Sequence, residues 1–370
     1  IHAGILYRRD NDSDVEQLNQ LESRGIDLVV VNLYPFEQTV AKEGVTQSEA
    51  IENIDIGGPS MLRSAAKNFN DVTVVVDPAD YAALIAELDQ HENGTTLEFR
   101  RRCATKAFSL TARYDSAIAA YFQQETPESG SPAQFPKTLS QSWQFRSELR
   151  YGENPHQQAA VYAQSGYGGA SLLDAEILSG KELSFNNYND LNACLDMLLD
   201  FSEPFACVLK HANPCGAAIG KTIAEAYKAA YESDPLSAYG SIIGLNQPVD
   251  MECARLLHET FFVECIIAPD FDDEAFKMLK KKKARRLLKL PGITDGRLKN
   301  DQVYKHLLGG LLVQSADEAE VNAADLKVVT KRTPTDDEIR DLLFAWKIVK
   351  HTKSNAIVLA AIALLATAPL

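Results

Sequence analysis

The stretch Val208-Leu209-Lys210-His211-Ala212-Asn213-Pro214-Cys215-Gly216 decides the fold class and the main candidate site. The apolar run Phe205 to Leu209 predicts a buried strand, and Asn-Pro with the following glycine predicts a turn that leads soon into a helix. A lysine and a histidine then stand at a strand end, where α/β enzymes usually place their chemistry. Imidazole accepts protons near neutral pH, and an ammonium steadies developing negative charge. On this stretch alone, the simpler interpretation of a solvated lysine and a turn histidine is favoured.

The composition of the 370 residues, with 45% hydrophobic and 24% charged, is that of a soluble globular protein of two or three domains. No apolar run approaches the roughly 18 residues of a membrane span. A net charge of −14 argues against nucleic acid and anionic membrane as partners. The six cysteines form no C-x-x-C pair, which predicts reduced thiols in a cytosolic protein and no zinc site.

Strands alternating with helices predict an α/β fold. The runs Leu28 to Val31 and Val72 to Val76 predict strands, the first covered on both faces. Capping-box patterns predict helix starts at Ser13, Thr46 and Thr335. A Pro/Ser/Gly-rich composition predicts a linker over 126–145, between domains at 1–125 and 146–370.

Two glycines, Gly57 and Gly58, precede a predicted helix. Backbone N–H groups at such a position can bind an anion, and Ser60, Arg63 and Lys67 could add contacts to a phosphate. A Gly-Gly pair also fits a simple tight turn. The acid before the pair and the two cations after it favour the phosphate site.

Polar side chains at predicted strand ends are further site candidates. Asn32 and Tyr34 follow the first strand, although a tyrosine there more often packs under a loop. Glu264 stands just before a predicted strand at 265–268, and Asn355 begins another at 356–361. Glu264 could equally be an exposed edge residue.

Two polar loops, Arg150 to Gln157 and Leu183 to Asp190, bracket the strand that carries Lys210-His211. An arginine in the first loop could hold a phosphate or carboxylate through a forked contact. The basic run Lys280 to Arg286 is interpreted as a solvated helix end against the acidic background.

Three other chemistries compete with this interpretation. Zinc-dependent deamination is disfavoured because no second cysteine follows Cys215 at deaminase spacing and no His-x-Glu is present. Nucleophilic catalysis by Cys215 stays open on spacing, although a turn thiol is the simpler interpretation. No G-x-G-x-x-G supports dinucleotide binding. The residues therefore predict a two-domain α/β enzyme for an anionic metabolite, with proton transfer at Lys210-His211.

Six stretches, in order along the chain, resemble the bifunctional purine biosynthesis protein family. That family joins formyltransferase activity on phosphoribosylaminoimidazolecarboxamide (AICAR) to inosine monophosphate (IMP) cyclohydrolase activity. The matching stretches are Ile1 to Leu6, Asn32 to Phe36, Ile54 to Gly58, Arg150 to Gln157, Lys210 to Gly216 and Lys350 to Asn355.

The resemblance implies a methylglyoxal-synthase-like first domain and a cytidine-deaminase-like α/β transferase domain without zinc. It implies 10-formyltetrahydrofolate as co-substrate and a cytoplasmic homodimer that handles AICAR, its formylated product FAICAR, and IMP. In the transferase, His211 would accept the amine proton, Lys210 would support it and the oxyanion, and Asn355 would hold the formyl group or folate. Substrate would contact Arg150, Tyr151, Asn187 and Glu264.

For the cyclohydrolase, the resemblance implies that Tyr34 and Asp55 handle protons or orient the carboxamide, while Lys67 polarises the formyl oxygen. The residues expected near the nucleotide are Asn32, Gly57, Gly58 and Arg63.

Two departures from the family pattern bear on activity. A Lys-Thr-Leu-His-Pro motif expected before Ile1 and a Gly-rich segment expected after Asn355 are not in this sequence. The sequence therefore predicts a chain shortened at both ends, and the alternative function is an incomplete fragment that folds, binds nucleotide and dimerises.

Overall fold

A computed structural model describes residues 1–42, 44–125, 135–299, 301–361 and 364–367, with only the backbone at 124–125 and 364–367. The chain divides into two compact units. The first comprises Ile1–Gln144 with Gln164–Gly166, and the second comprises Phe145–Ala163 with Tyr167–Leu370. Residues 126–134 of the predicted linker lie outside the described residues, and the predicted domain limits stay a prediction.

Among the described residues of the first unit, two parallel strands pack with seven α-helices. The strands are β1 (Leu28–Val30) and β2 (Thr73–Val75). The helices are α1 (His2–Leu6), α2 (Asp12–Gln20), α3 (Phe36–Val40), α4 (Gln47–Glu52), α5 (Gly57–Lys67), α6 (Tyr81–Gln90) and α7 (Leu97–Glu125).

Local sequence accounts for part of this unit. Thr46 and Glu49 form the predicted capping box of α4. The predicted cap at Ser13 is wrong, because the Asn11 side chain accepts a hydrogen bond from the Asp14 N–H and α2 begins earlier. Leu28 and Val30 are 39% and 43% exposed, so β1 is covered on one face only and the prediction of two covered faces is wrong.

The other strands of the described ranges form one large sheet and two hairpin sheets. The large sheet has the order β13-β14-β7-β6-β8-β9-β10-β5, while β3 pairs with β4 and β11 with β12. The strands are β3 (Trp143–Leu149), β4 (Ala159–Gln164), β5 (Glu176–Ser179), β6 (Phe205–Lys210), β7 (Asn213–Ile219), β8 (Ser241–Leu245), β9 (Val263–Ala268), β10 (Arg286–Lys289), β11 (Gln302–Leu307), β12 (Gly310–Ser315), β13 (Val358–Ala361) and β14 (Leu364–Thr367). The helices are α8 (Phe185–Leu198), α9 (Ile223–Ser233), α10 (Met251–Glu259), α11 (Asp273–Leu279) and α12 (Asp336–Lys350).

Helices cover both faces of the large sheet. Along β6, Ala206 and Val208 join the core against α9, α10 and α11, whereas Cys207 and Leu209 join the core against α8 and α12. This alternation follows from the two-residue period of a strand. The layer of α8 and α12 consequently lies on one face beside β6, the strand that carries Lys210.

The chain reverses direction at His211-Ala212, directly after β6. Strand β7 returns antiparallel, with Lys210 opposite Asn213. The predicted turn at Asn-Pro is therefore wrong, since these residues begin a strand. The helix expected soon after it is α9, which begins at Ile223 once β7 has ended. A shift in register between Val208 and Leu209 interrupts the regular ladder beside Pro214, as expected where a strand contains proline.

The basic run after α11 is not wholly solvated. Arg285 is 2% exposed, and its Nη2 donates to the Leu257 carbonyl at 2.9 Å. Its Nε and Nη1 have no hydrogen-bond partner. The interpretation of this run as a solvated helix end is wrong for Arg285, because the chain folds back at this point to enter β10.

Candidate active sites

The Lys210-His211 pair lies at the tip of the β6–β7 hairpin. His211 and Ala212 both have φ of +54°, although neither is glycine. Positive φ at both residues of a two-residue loop matches the type I′ hairpin turn, which Asn-Gly usually supplies. Left-handed backbone costs about 1–2 kcal/mol at a residue with a side chain. Contacts from elsewhere in the unit must therefore offset that cost.

Lys353, just after α12, supplies two of those contacts. Its Nζ donates to the His211 carbonyl at 2.7 Å, and its backbone N–H donates to Asn213 Oδ1 at 3.1 Å. Lys210 Nζ donates to the Tyr239 carbonyl at 3.0 Å, which fixes the ammonium at the end of β6. The Lys353 ammonium thus contacts the turn itself, while the Lys210 ammonium fixes the end of the strand before it.

Asp190 on α8 contributes a third contact. Burial raises the pKa of its carboxyl above the ordinary value, although a hydrogen bond from the Ala212 backbone and the charges of His211 and Lys353 act in the other direction. Sequence reasoning missed Asp190 and Lys353 as functional residues, although Asp190 ended the stretch Leu183 to Asp190 and Lys353 lay within the matched stretch Lys350 to Asn355.

Cys215 lies in β7, away from the tip. Its thiol donates to the Val208 carbonyl at 3.3 Å, and burial raises its pKa to about 11. A buried thiol with a raised pKa is a poor nucleophile. The geometry therefore disfavours the cysteine mechanism and supports the simpler structural role for Cys215.

Asn187 and Glu264 form a polar chain beside the same sheet. Asn187 Nδ2 donates to Glu264 Oε2 at 3.1 Å, and Arg286 Nη1 lies 3.4 Å from the same oxygen. The Asn187 side chain also completes a capping box with Ser184 at the start of α8. Glu264 lies inside β9 rather than before the strand.

Arg150 and Tyr151 contact each other. Arg150 Nη2 donates to the Tyr151 hydroxyl at 3.2 Å, and the guanidinium carbon lies 4.9 Å from the centroid of the ring. Asn355 is exposed, two residues beyond Lys353. It precedes β13 by three residues, so the predicted strand start at 356 is wrong by two residues.

In the first unit, Asp55 organises the entry to α5. Asp55 Oδ1 accepts the Gly58 N–H at 2.7 Å, and Oδ2 accepts the Tyr34 N–H at 3.4 Å. The Asp55 N–H donates to the Tyr114 hydroxyl at 2.8 Å. The structure thus brings Tyr34, Asp55 and Gly58 together.

Lys67 lies at the other end of α5. With a rise of about 1.5 Å per residue, it is about 15 Å along the axis from Gly57. Arg63 stacks over the Phe108 ring, with its guanidinium carbon 5.7 Å from the centroid. Asn32 Nδ2 donates to the Tyr81 hydroxyl at 3.0 Å. The length of α5 therefore separates Lys67 from Asp55, which lies just before the helix.

His2 is a polar residue near α5 that sequence reasoning did not single out. Its Nδ1 lies 3.0 Å from Ser64 Oγ, and its Nε2 lies 3.5 Å from Ser60 Oγ. Ser60, Ser64 and Lys67 follow the spacing that places side chains on one helix face. His2 therefore contacts the face of α5 to which Lys67 belongs.

Within the ranges given above, no group of three or more His, Cys, Asp or Glu side chains could hold a metal ion. The expected lack of zinc stays a prediction. No helix of the described residues is long and apolar enough to cross a membrane.

By its fold and its polar clusters at strand and helix ends, the chain falls in the class of mixed α/β enzymes. A family model described as AICARFT/IMPCHase bienzyme matches residues 65–367, and one described as MGS-like domain matches residues 5–60. The chain belongs to the AICARFT/IMPCHase bienzyme family. It is a bifunctional enzyme of purine biosynthesis with formyltransferase and cyclohydrolase activities, and the predicted family and α/β fold class are confirmed.

Curated relatives are similar over nearly the whole chain. "Bifunctional purine biosynthesis protein PurH" of Thermoanaerobacter sp. (strain X514) is 50% identical over 362 residues, which are 97% of this chain and 68% of the relative. The proteins of the same name from Gloeothece citriformis and Oceanobacillus iheyensis are 49% and 47% identical over 360 residues, covering 97% of this chain and 68% and 69% of their own length. The chain thus spans about two thirds of these relatives.

The solved structure titled "Crystal structure of ForH" is 35% identical and covers 33% of this chain and 62% of its own, with a TM-score of 0.29.

Proposed function

We propose that the second unit transfers the formyl group of 10-formyltetrahydrofolate to the 5-amino group of AICAR, and that the first unit closes FAICAR to IMP with loss of water. The observation that carries the first half is the strained turn at the end of β6, which presents His211 beside Lys210 and is contacted by α8 and by the segment after α12. The family membership supports the pair of reactions.

His211 is proposed as the base of formyl transfer. The AICAR amine is a weak nucleophile, because the ring and the carboxamide withdraw its electrons. Its nitrogen bonds to the formyl carbon, its proton passes to His211, and the bond from the formyl carbon to the folate nitrogen breaks. Lys210 stabilises the negative oxygen of the tetrahedral intermediate, since a fixed cation acts most strongly where charge develops.

The polar groups around the turn are proposed to bind the two substrates. Arg150, stacked on Tyr151, presents a guanidinium suited to a phosphate or carboxylate. Asn187 and Glu264 already hydrogen bond to each other, so they offer a preorganised pair for polar groups of the substrate. Asn355 is proposed to hold the formyl group or the folate.

The cyclohydrolase half is proposed to use Tyr34, Asp55 and Lys67. The carboxamide nitrogen attacks the formyl carbon and water leaves, with Tyr34 and Asp55 handling protons and Lys67 polarising the formyl oxygen. Asp55 already accepts the Gly58 N–H. Of the two glycines, Gly57 therefore has the better-placed donor for a phosphate, with Arg63 and Asn32 as further nucleotide contacts.

A homodimer, a cytoplasmic location and the lack of zinc complete the proposal as predictions. The assay that tests the proposal supplies AICAR and 10-formyltetrahydrofolate to the purified chain and follows FAICAR and IMP by chromatography. We expect both products. A folded chain that binds AICAR but forms neither product would contradict the proposal and support the incomplete fragment.

Formyl transfer is tested with His211→Ala, with His306→Ala as the matched control because His306 is exposed in β11. Loss of a general base lowers the rate about 10²–10⁴-fold. Transfer by His211→Ala at the rate of His306→Ala would refute the assigned base.

A further inference from the structure

The turn that carries His211 lies against one side chain of α8 and another from the segment after α12. Lys353 follows α12 and reaches the His211 carbonyl with its ammonium at 2.7 Å. The Asp190 carboxyl, on α8, lies close enough to the Ala212 backbone for that peptide to favour its charged form. His211 and Ala212, which share one peptide bond, thus lie beside opposite charges: the Lys353 ammonium and the Asp190 carboxyl.

These two ties act on a turn whose sequence does not favour its conformation. His211 and Ala212 both have positive φ, a conformation that glycine or asparagine would adopt at much lower cost. A glycine at Ala212 would relieve part of the strain without any outside contact. The chain instead has alanine there and uses charged groups from α8 and from the segment after α12.

We propose that Asp190 and Lys353 are positioning residues for formyl transfer, which hold the imidazole of His211 in place through the backbone of its turn. This inference rests on the proposed role of His211 as the base. Neither residue needs to touch the substrate, since each acts on a backbone group next to the imidazole. Such supporting contacts affect the rate because a base must be held within a fraction of an ångström of its productive position.

The charged surroundings of the turn support a positional role. Asp190 faces His211, Lys353 and Glu264, and it is partly buried. Lys353 is also anchored by its own backbone, whose N–H donates to Asn213 Oδ1 at 3.1 Å. Lys353 is therefore held both at its backbone and at the tip of its side chain, so its contact with His211 has little freedom to shift.

The test is a double-mutant cycle on formyl transfer. Asp190→Ala and Lys353→Met are each made in the native chain and in His211→Ala, with kcat and the KM for AICAR measured. We expect each single change to lower kcat about tenfold or more, with the KM changed less than about threefold. In the His211→Ala background we expect no further loss, because the group being positioned is gone.

Conservative variants and controls separate positioning from general damage. Asp190→Asn keeps an acceptor for the Ala212 N–H and Lys353→Arg keeps a donor for the His211 carbonyl, so both are expected to recover most of the rate. Asp174→Ala and Lys327→Met change exposed residues and are expected to match the native chain.

Two different failures can be told apart. If His211→Ala loses transfer but Asp190→Ala and Lys353→Met do not, or if they lose equally in both backgrounds, the positioning role is overturned and the base stands. If His211→Ala transfers formyl at the native rate, the proposed function itself is overturned, and this inference with it.

Discussion

The imidazole Nε2 of His351 lies 2.7 Å from Oδ2 of Asp200, and its Nδ1 lies 3.2 Å from Oδ2 of Asp196. The His351 side chain is 4% exposed. Lys350 and Arg297 reach the Asp200 carboxylate at 2.8 Å and 3.2 Å. A buried imidazole between two carboxylates therefore joins the end of α12 to α8, two residues before Lys353.

The stability that His351 provides is predicted to depend on pH. Burial alone would lower its pKa, but the hydrogen bonds and charges of Asp196 and Asp200 outweigh burial and hold the pKa above the ordinary value. A raised folded-state pKa means that the stabilisation is present below the unfolded pKa of about 6.5 and is lost as pH rises through the folded pKa. We expect the native chain to have a larger free energy of unfolding in urea than His351→Gln. That difference should be largest below about pH 6.5 and should shrink above it. A constant difference across this range would contradict the charged imidazole.

Asp200→Asn is predicted to be strongly destabilising. Burial alone would raise the pKa of the Asp200 carboxyl, but His351, Lys350 and Arg297 hold it well below its ordinary value. Removing one partner of a buried ion pair costs about 3–5 kcal/mol, and urea unfolding near neutral pH measures that loss. This stabilisation is lost as pH falls through the depressed pKa. The control Asp337→Asn removes an exposed pair with Arg340 and should cost less than about 1 kcal/mol. Equal losses would refute the buried cluster.

The two glycines at the start of α5 are predicted to differ sharply. A Cβ at Gly58 would lie 2.6 Å from Leu33 Cδ2 and 2.7 Å from Asp55 Oδ2, whereas one at Gly57 meets nothing within 4 Å. Gly58→Ala should lower the free energy of unfolding by about 1–3 kcal/mol and slow cyclisation, because Asp55 must move. Gly57→Ala should leave stability within about 1 kcal/mol of native. Thermal melts and the FAICAR cyclisation assay measure both variants, and equal effects would contradict this geometry.

Arg285→Leu is predicted to leave stability unchanged or to raise it. Burial lowers the pKa of the Arg285 guanidinium, and two of its nitrogens lack a partner. Replacing a buried, poorly paired charge by an apolar side chain is often neutral or stabilising by about 1–4 kcal/mol. Urea unfolding of Arg285→Leu is compared with the exposed Arg255→Leu. A large loss at position 285 alone would mean that the guanidinium has a role that its single bond to Leu257 does not explain.

Sequence patterns found most of the elements near the candidate site but misplaced its turn. The apolar run at 205–209 correctly predicted β6, because continuous apolar residues fit a strand covered on both faces. A turn was predicted at Asn213 and Pro214 because both residue types are common in turns, yet the chain reverses at His211-Ala212. Contacts made by the folded unit outweigh the local turn propensity of these residues.

The contacts that hold the turn could not be found from sequence. Lys353 and His211 are 142 positions apart, and only the packing of α12 beside β6 brings them together. Asp190 ended a stretch that was wrongly predicted as a polar loop and that forms α8 from Phe185 onward, and its spacing gave no sign that it would meet the Ala212 backbone. In the same way His351 was part of a matched stretch, while its two carboxylate partners were not singled out.

If the two chemistries reside in separate units, a crossed assay of His211→Ala and Lys67→Ala should separate them. Formyl transfer to AICAR and cyclisation of FAICAR are measured separately for each variant, with His306→Ala and Lys42→Ala as exposed controls. We predict that His211→Ala loses transfer about 10²–10⁴-fold and keeps native cyclisation, and that Lys67→Ala does the reverse. Equal losses of both reactions in either variant, or native transfer by His211→Ala, would contradict the account.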